Sequence, residues 1–157
     1  MRILGIDPGS YKTGWGVVEK KGARVHGVKA DVISVSRKLP LEQRLRAIHA
    51  GVEKVIQEHQ PATVAIEDIF FGKFPNAALK LGHARGVALL AAAQADLIVH
   101  SYPPTVIKRT VVGRGRASKD QVSRLVGAIL GWRELPAVDA TDALAVAITH
   151  AQAQQRH

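Results

Sequence analysis

The chain has 157 residues, 46% of them apolar and 22% charged, an ordinary globular balance for one compact domain over residues 1–157 rather than a disordered chain. It contains no cysteine, which excludes a disulfide framework and thiolate metal sites and points to a reduced, cytoplasmic setting. The net charge of +9 calls for a polyanionic partner. No apolar run approaches the roughly 18 residues that a membrane span needs, so no membrane partner is expected.

Arg2 to Asp7 reads as a buried strand followed by a Pro-Gly-Ser turn. Two further strands are expected at about Thr13–Glu19 and Arg24–Val35, joined by a hairpin. Leu41, Leu45, Ile48, Val52, Val55 and Ile56 recur at helical spacing between Pro40 and Pro61. A fourth strand is expected over Thr63–Asp68, then an aromatic loop, then an alanine-rich helix from about Asn76 to Ala95. A fifth strand, Leu97–Tyr102, is stopped by Pro103 and Pro104, and the stretch beyond them reads as a basic, glycine-containing loop. Ser118 and Gln121 form a capping box for a helix, and a last helix begins near Val138. The order is β-β-β-α-β-α-β-α-α. It implies an α/β fold with a mixed five-stranded sheet and helices on both faces. No internal repeat, low-complexity stretch or linker interrupts it.

Positive charge is concentrated. Between Lys73 and Lys119 eight basic residues face a single acid, Asp96, and Lys108, Arg109, Arg114, Arg116 and Lys119 all fall close to a helix N-terminus. A solvated surface is the plain alternative, but such a bias favours phosphate contact.

The acids are few, 13 in all, and five have unusual settings. Asp7 and the Glu67–Asp68 pair close apolar strands, while Asp139 and Asp142 stand three residues apart at the start of the last helix. Taken singly, Asp7 could begin a turn and Asp139 could cap a helix. Together they suggest carboxylates that meet, and such a set needs a cation to relieve its repulsion. Hard oxygen ligands without cysteine favour Mg²⁺, or Mn²⁺ as a substitute. A pair of such ions about 4 Å apart suits phosphodiester hydrolysis. Propensity cannot choose between Glu67 and Asp68, which point to opposite faces of the strand.

The segments ILGIDPGS with TGWGVV, VAIEDIFF, NAALKLGHARGVALLAAA, VIKRTVVG and VDATDALAVAITH run in order from Ile3 to His150. Together they resemble the RuvC family of bacterial Holliday-junction endonucleases. The resemblance implies a ribonuclease-H-like fold and Mg²⁺-dependent, symmetric nicking of two opposed strands of four-way junction DNA, serving recombination and repair. It also implies a homodimer and the branch-migration partners RuvA and RuvB. The family's four acidic ligands fall on Asp7, Glu67, Asp139 and Asp142, which selects Glu67 over Asp68. Its junction-probing aromatic falls on Phe70 and its functional lysines on Lys108 and Lys119. The stretch Arg114–Lys119 is more basic than the family pattern. Gly82 and Gly86, four residues apart on the alanine-rich helix, would allow close approach of a second protomer.

Three other functions compete. The Asp7-Pro8-Gly9-Ser10 turn also suits a sugar-kinase-like or actin-like nucleotide site, but such folds need two domains. A junction-binding module without catalysis would gain nothing from four converging carboxylates beside DNA. A nuclease for RNA–DNA hybrids would share the fold and the chemistry, and only substrate preference separates it.

Overall fold

The computed structural model describes residues 1–69, 72 and 74–154. Five strands, β1 (Arg2–Asp7), β2 (Lys12–Lys21), β3 (Arg24–Ser34), β4 (Thr63–Glu67) and β5 (Val99–Tyr102), form one sheet in the order β3-β2-β1-β4-β5. The first three are antiparallel, whereas β4 and β5 run parallel to β1. The parallel pairs require crossovers, and helices supply them. These are α1 (Leu41–His59) before β4 and α2 (Pro75–Gln94) before β5. The mixed sheet expected from the element order is the one observed.

One element differs. The stretch after Pro103, read from sequence as a loop, is a helix, α3 (Pro104–Val112). The two prolines that stop β5 also start this helix: Pro103 is the N-cap and Pro104 occupies N1, where the missing N–H costs nothing. Gly113, at φ 89°, ends it in a left-handed turn. Strand β5 is correspondingly shorter than expected. Leu97 and Ile98 precede it, although the Ile98 carbonyl still accepts from the Val64 amide and the Thr63 hydroxyl. The remaining helices are α4 (Lys119–Leu130), opened by the expected Ser118–Gln121 capping box, and α5 (Val138–Ala153).

Strand periodicity sorts the core into two halves. Leu4, Ile6, Trp15, Val17, Val64 and Ile66 point to the α1–α2 side and pack on Ile48, Val52, Ala84 and Ala88. Ile3, Val18 and Ala65 point to the other side, against α5 and the α3 and α4 residues that cover it. Helix α5 is buried nearly all round. Its apolar residues are mostly alanine, and its buried Thr141 and Thr149 hydroxyls donate to carbonyls four residues back.

Glycine brings α5 unusually close to the sheet. A Cβ at Gly5 would overlap the Ala143 carbonyl, one at Gly14 the Asp139 carbonyl, and one at Gly16 the Leu144 side chain. Gly5 and Gly16 are cross-strand neighbours, and Gly14 pairs with Asp7. The three glycines therefore make a shallow track on β1 and β2 in which the first turns of α5 lie.

His150 sits at the other end of α5. It stacks on His100 with ring centroids 4.2 Å apart and pairs with the Tyr102 hydroxyl at 2.7 Å. Burial, aided by His100 and Lys20, pushes its pKa down to about 4, so it is a neutral core histidine.

Candidate active site: a carboxylate cluster at the strand ends

The same periodicity that sorts the core also places the acids. On β1 the α5-facing residues are Ile3, Gly5 and, two further on, Asp7. On β4 the α5-facing Ala65 is followed by Glu67. Both carboxylates thus emerge at the carboxyl ends of adjacent parallel strands, on the side where α5 begins. Asp68 is one step out of phase. It is half exposed and pairs with Arg85 at 3.6 Å, away from the cluster.

Helix α5 completes the set. Carboxylate oxygens of Asp7, Asp139 and Asp142 all lie within 4.8 Å of one another. Glu67 stands within hydrogen-bonding reach of Asp7 and within electrostatic range of Asp142. Burial, then the neighbouring Glu67, Asp142 and Asp139, pushes the Asp7 pKa up to about 9. Burial raises that of Asp142 too, with Glu67 and Asp139 adding to it, while Lys119 opposes the shift. Without a cation such a cluster holds protons, because like charges this close cannot all ionise.

The acids floor a cleft lined by Asp7, Glu67, Asp142, Lys108 and Lys119, with Pro104, Ile107 and Val122 among its apolar walls. Lys119 lies 3.7 Å from Asp142 but is largely exposed, so their pairing is weak and readily exchanged. Lys108 projects from α3 into the same cleft, one residue after the buried Ile107. The missed helix is therefore a wall of the site, and the signal for it was the Pro103–Pro104 pair. The glycine track was the second feature that a search for reactive side chains passes over.

The other basic residues are placed differently. Arg109 lines a separate groove between α3 and α5 with Tyr102, Thr110, Thr149 and Gln152. Arg114 and Arg116 are exposed in the turn between α3 and α4. Phe70 lies outside the described residues. Gly86 is exposed, and among the described residues no other element closely approaches it or Gly82. Among the described residues no helix is long and apolar enough to cross a membrane.

A family model described as crossover junction endodeoxyribonuclease RuvC matches residues 3–150. The chain belongs to the RuvC family. Among curated relatives, the RuvC of Rhodopseudomonas palustris is 48% identical over 151 residues, covering 96% of this chain and 87% of the relative. The RuvC of Solidesulfovibrio magneticus is 49% identical over 148 residues, covering 94% and 88%. Thermus thermophilus RuvC, solved in complex with a Holliday junction substrate, superposes with a TM-score of 0.93 at 38% identity, covering 99% of this chain and 95% of that one. The yeast mitochondrial Holliday junction resolvase, at 12% identity and a TM-score of 0.66 over 99% of this chain and 82% of its own, shares the fold. The ribonuclease-H-like architecture expected from the sequence is thus the architecture found, and this RuvC-family chain is an endodeoxyribonuclease.

Proposed function

We propose that the cleft between β1, β4, α3 and α5 cuts four-way junction DNA by metal-dependent hydrolysis, with Asp7, Glu67, Asp139 and Asp142 as the ligand set. The observation that carries this reading is the convergence of the acids in a cleft also walled by Lys108 and Lys119. Strand-end carboxylates give fixed oxygens, and those of α5 are fixed by the glycine track. Preorganisation of this kind is what catalysis at phosphorus needs.

The donor set fits a hard divalent cation: its donors are all oxygen, and three of its carboxylates lie within 4.8 Å of one another. Mg²⁺ bound there, with Mn²⁺ as a substitute and two ions per site as the favoured occupancy, would supply charge neutralisation and an activated water. The chain's own contributions are distinct. Asp7, which burial and the neighbouring acids keep protonated in the metal-free site, would give up its proton to serve as a ligand beside Glu67. Lys119 leaves Asp142 for the negative charge that develops on the phosphate, and Lys108 holds the backbone beside it. The apolar wall of Pro104, Ile107 and Val122 limits bulk water.

Arg114 and Arg116 would extend phosphate contact along the arm from their exposed turn, and Arg109 would do so from the α3 side. Phe70 remains the candidate for holding the junction centre open. Two symmetric cuts call for a homodimer, and α2, with its unfilled Gly82 and Gly86, is the surface for it. Family membership supports partnership with RuvA and RuvB in the cytoplasm.

The deciding experiment is cleavage of a mobile synthetic junction with Mg²⁺, beside matched duplex and RNA–DNA hybrid, by wild type and Asp7→Asn. Paired nicks in opposed strands of the junction only, lost in the variant, are expected. Preferential cutting of the hybrid would keep the chemistry and overturn the substrate.

A further inference from the structure

The turn that follows Asp7 carries a second cluster that the cleavage chemistry does not use. Tyr11 receives two guanidinium groups on its ring. The Arg37 carbon lies 4.3 Å from the ring centroid and the Arg44 carbon 4.6 Å. Arg44 is 8% exposed, yet among the described residues its Nε has no hydrogen-bond partner and its guanidinium makes one long bond, 3.5 Å to the Ser10 carbonyl. Among the described residues no carboxylate lies within ion-pair distance of Arg37 or Arg44. Lys12 and Lys38, their chain neighbours at this turn, are exposed and likewise unpaired.

A buried guanidinium without an acid partner is costly, and a second cation on the same ring adds repulsion. The aromatic face offsets part of that cost, and an anion would offset the rest. Topology fixes where that anion would lie. The end of β1, the start of β2, the end of β3 and the start of α1 lie together at one end of the sheet. Tyr11 follows Asp7 by four residues at that end, on the opposite side of β1 from β4.

We infer that Tyr11, Arg37 and Arg44 form a phosphate subsite that grips the DNA backbone away from the scissile bond, on the β2–β3 side of the acidic cleft. Exposed Arg37 makes the contact. Buried Arg44 supplies fixed charge behind it, and Tyr11 holds the two in place. The inference rests on the junction-cleavage reading, since that supplies the polyanion. Contact of this kind reads no sequence and follows counterion release.

The test is junction binding by Arg37→Ala across a range of salt concentrations in EDTA, where no strand is cut, with cleavage measured separately in Mg²⁺. The expected result is about five- to tenfold weaker binding to junction and to duplex alike at moderate salt, as for one lost phosphate contact. The log–log salt slope should fall by about one. Cleavage at saturating junction should match wild type, with unchanged sequence preference. Tyr11→Leu should weaken binding in the same way, whereas Tyr11→Phe, which keeps the ring, should not. Unchanged affinity and slope in Arg37→Ala would overturn the subsite. A Tyr11→Leu protein that melts earlier but keeps the full slope would overturn it too, leaving the cluster purely structural. Wild-type protein that ignores junction DNA would overturn the subsite together with the reading beneath it, a result recognisable before any variant is made.

Discussion

The two faces of the sheet are packed on different principles. On the α1–α2 side, branched aliphatic residues such as Ile6, Ile48, Val52 and Ile66 interlock with alanines of α2, an ordinary core in which side chains set the spacing. On the α5 side, strand backbone meets helix backbone at Gly5 and Gly14, Gly16 seats the Leu144 side chain, and alanines share the rest with branched residues such as Val146 and Ile148. The first arrangement yields stability. The second yields position, because a helix seated on glycine cannot shift without its carbonyls striking a strand. The acids are all on the second side, which suggests a division of labour between the faces.

Breaking the α5 side should have the largest effect. Gly5→Val places a branched side chain where the Ala143 carbonyl lies, so little folded protein and no cleavage are expected, read by circular dichroism and junction nicking. Next comes Asp7→Asn. Cleavage should fall by about a thousandfold or more, the rate equivalent of several kcal/mol, while the metal-free fold becomes more stable.

The sign of that stabilisation follows from the Asp7 pKa of about 9 against an ordinary 3.8. Below the ordinary value folded and unfolded chains both carry the proton, and the favourable contribution is complete. As pH rises towards 9 the unfolded chain ionises while the folded one keeps its proton, so stability is lost. In EDTA, thermal melts of wild type should therefore decline from acid to pH 9 relative to Asp7→Asn. Parallel curves would show that neither burial nor the neighbouring acids raise the Asp7 carboxyl as placed.

The opposite face gives the contrasting result. Ile48→Ala should cost about 2–5 kcal/mol in denaturant unfolding, yet each molecule that stays folded should nick at close to the wild-type rate. The smallest effect sharpens the comparison at a single peptide bond. Glu67→Gln should lose cleavage, whereas Asp68→Asn, which removes only a half-exposed pair with Arg85, should change stability by no more than about 0.5 kcal/mol and activity hardly at all. Equal losses from both would refute the assignment by strand face.

These contrasts also mark what could be read from the residues alone. The strands, α1, α2, the capping box of α4 and the start of α5 were legible because apolar period and local punctuation agree there. The acids were legible as a group because carboxylates at the ends of apolar strands are anomalous. Choosing Glu67 over Asp68 required knowing which face α5 covers, a tertiary fact that reached the sequence reading only through family resemblance. Helix α3 is not legible because Pro103–Pro104 reads as a stop signal, when the same pair is also a helix start. Arg109 was grouped with Lys108 by adjacency, but adjacent helix residues point about 100° apart, and only Lys108 reaches the cleft. The Tyr11 cluster draws on residues more than thirty positions apart and leaves no local pattern.

The glycine track has a consequence for genetics. A map of essential positions drawn from chemistry would contain the acids and the lysines. A random screen for inactive alleles would return codons 5, 14 and 16 as well, where the wild-type residue offers no functional group and many single-base changes introduce a side chain. Part of this enzyme's mutational target is thus space that must stay empty.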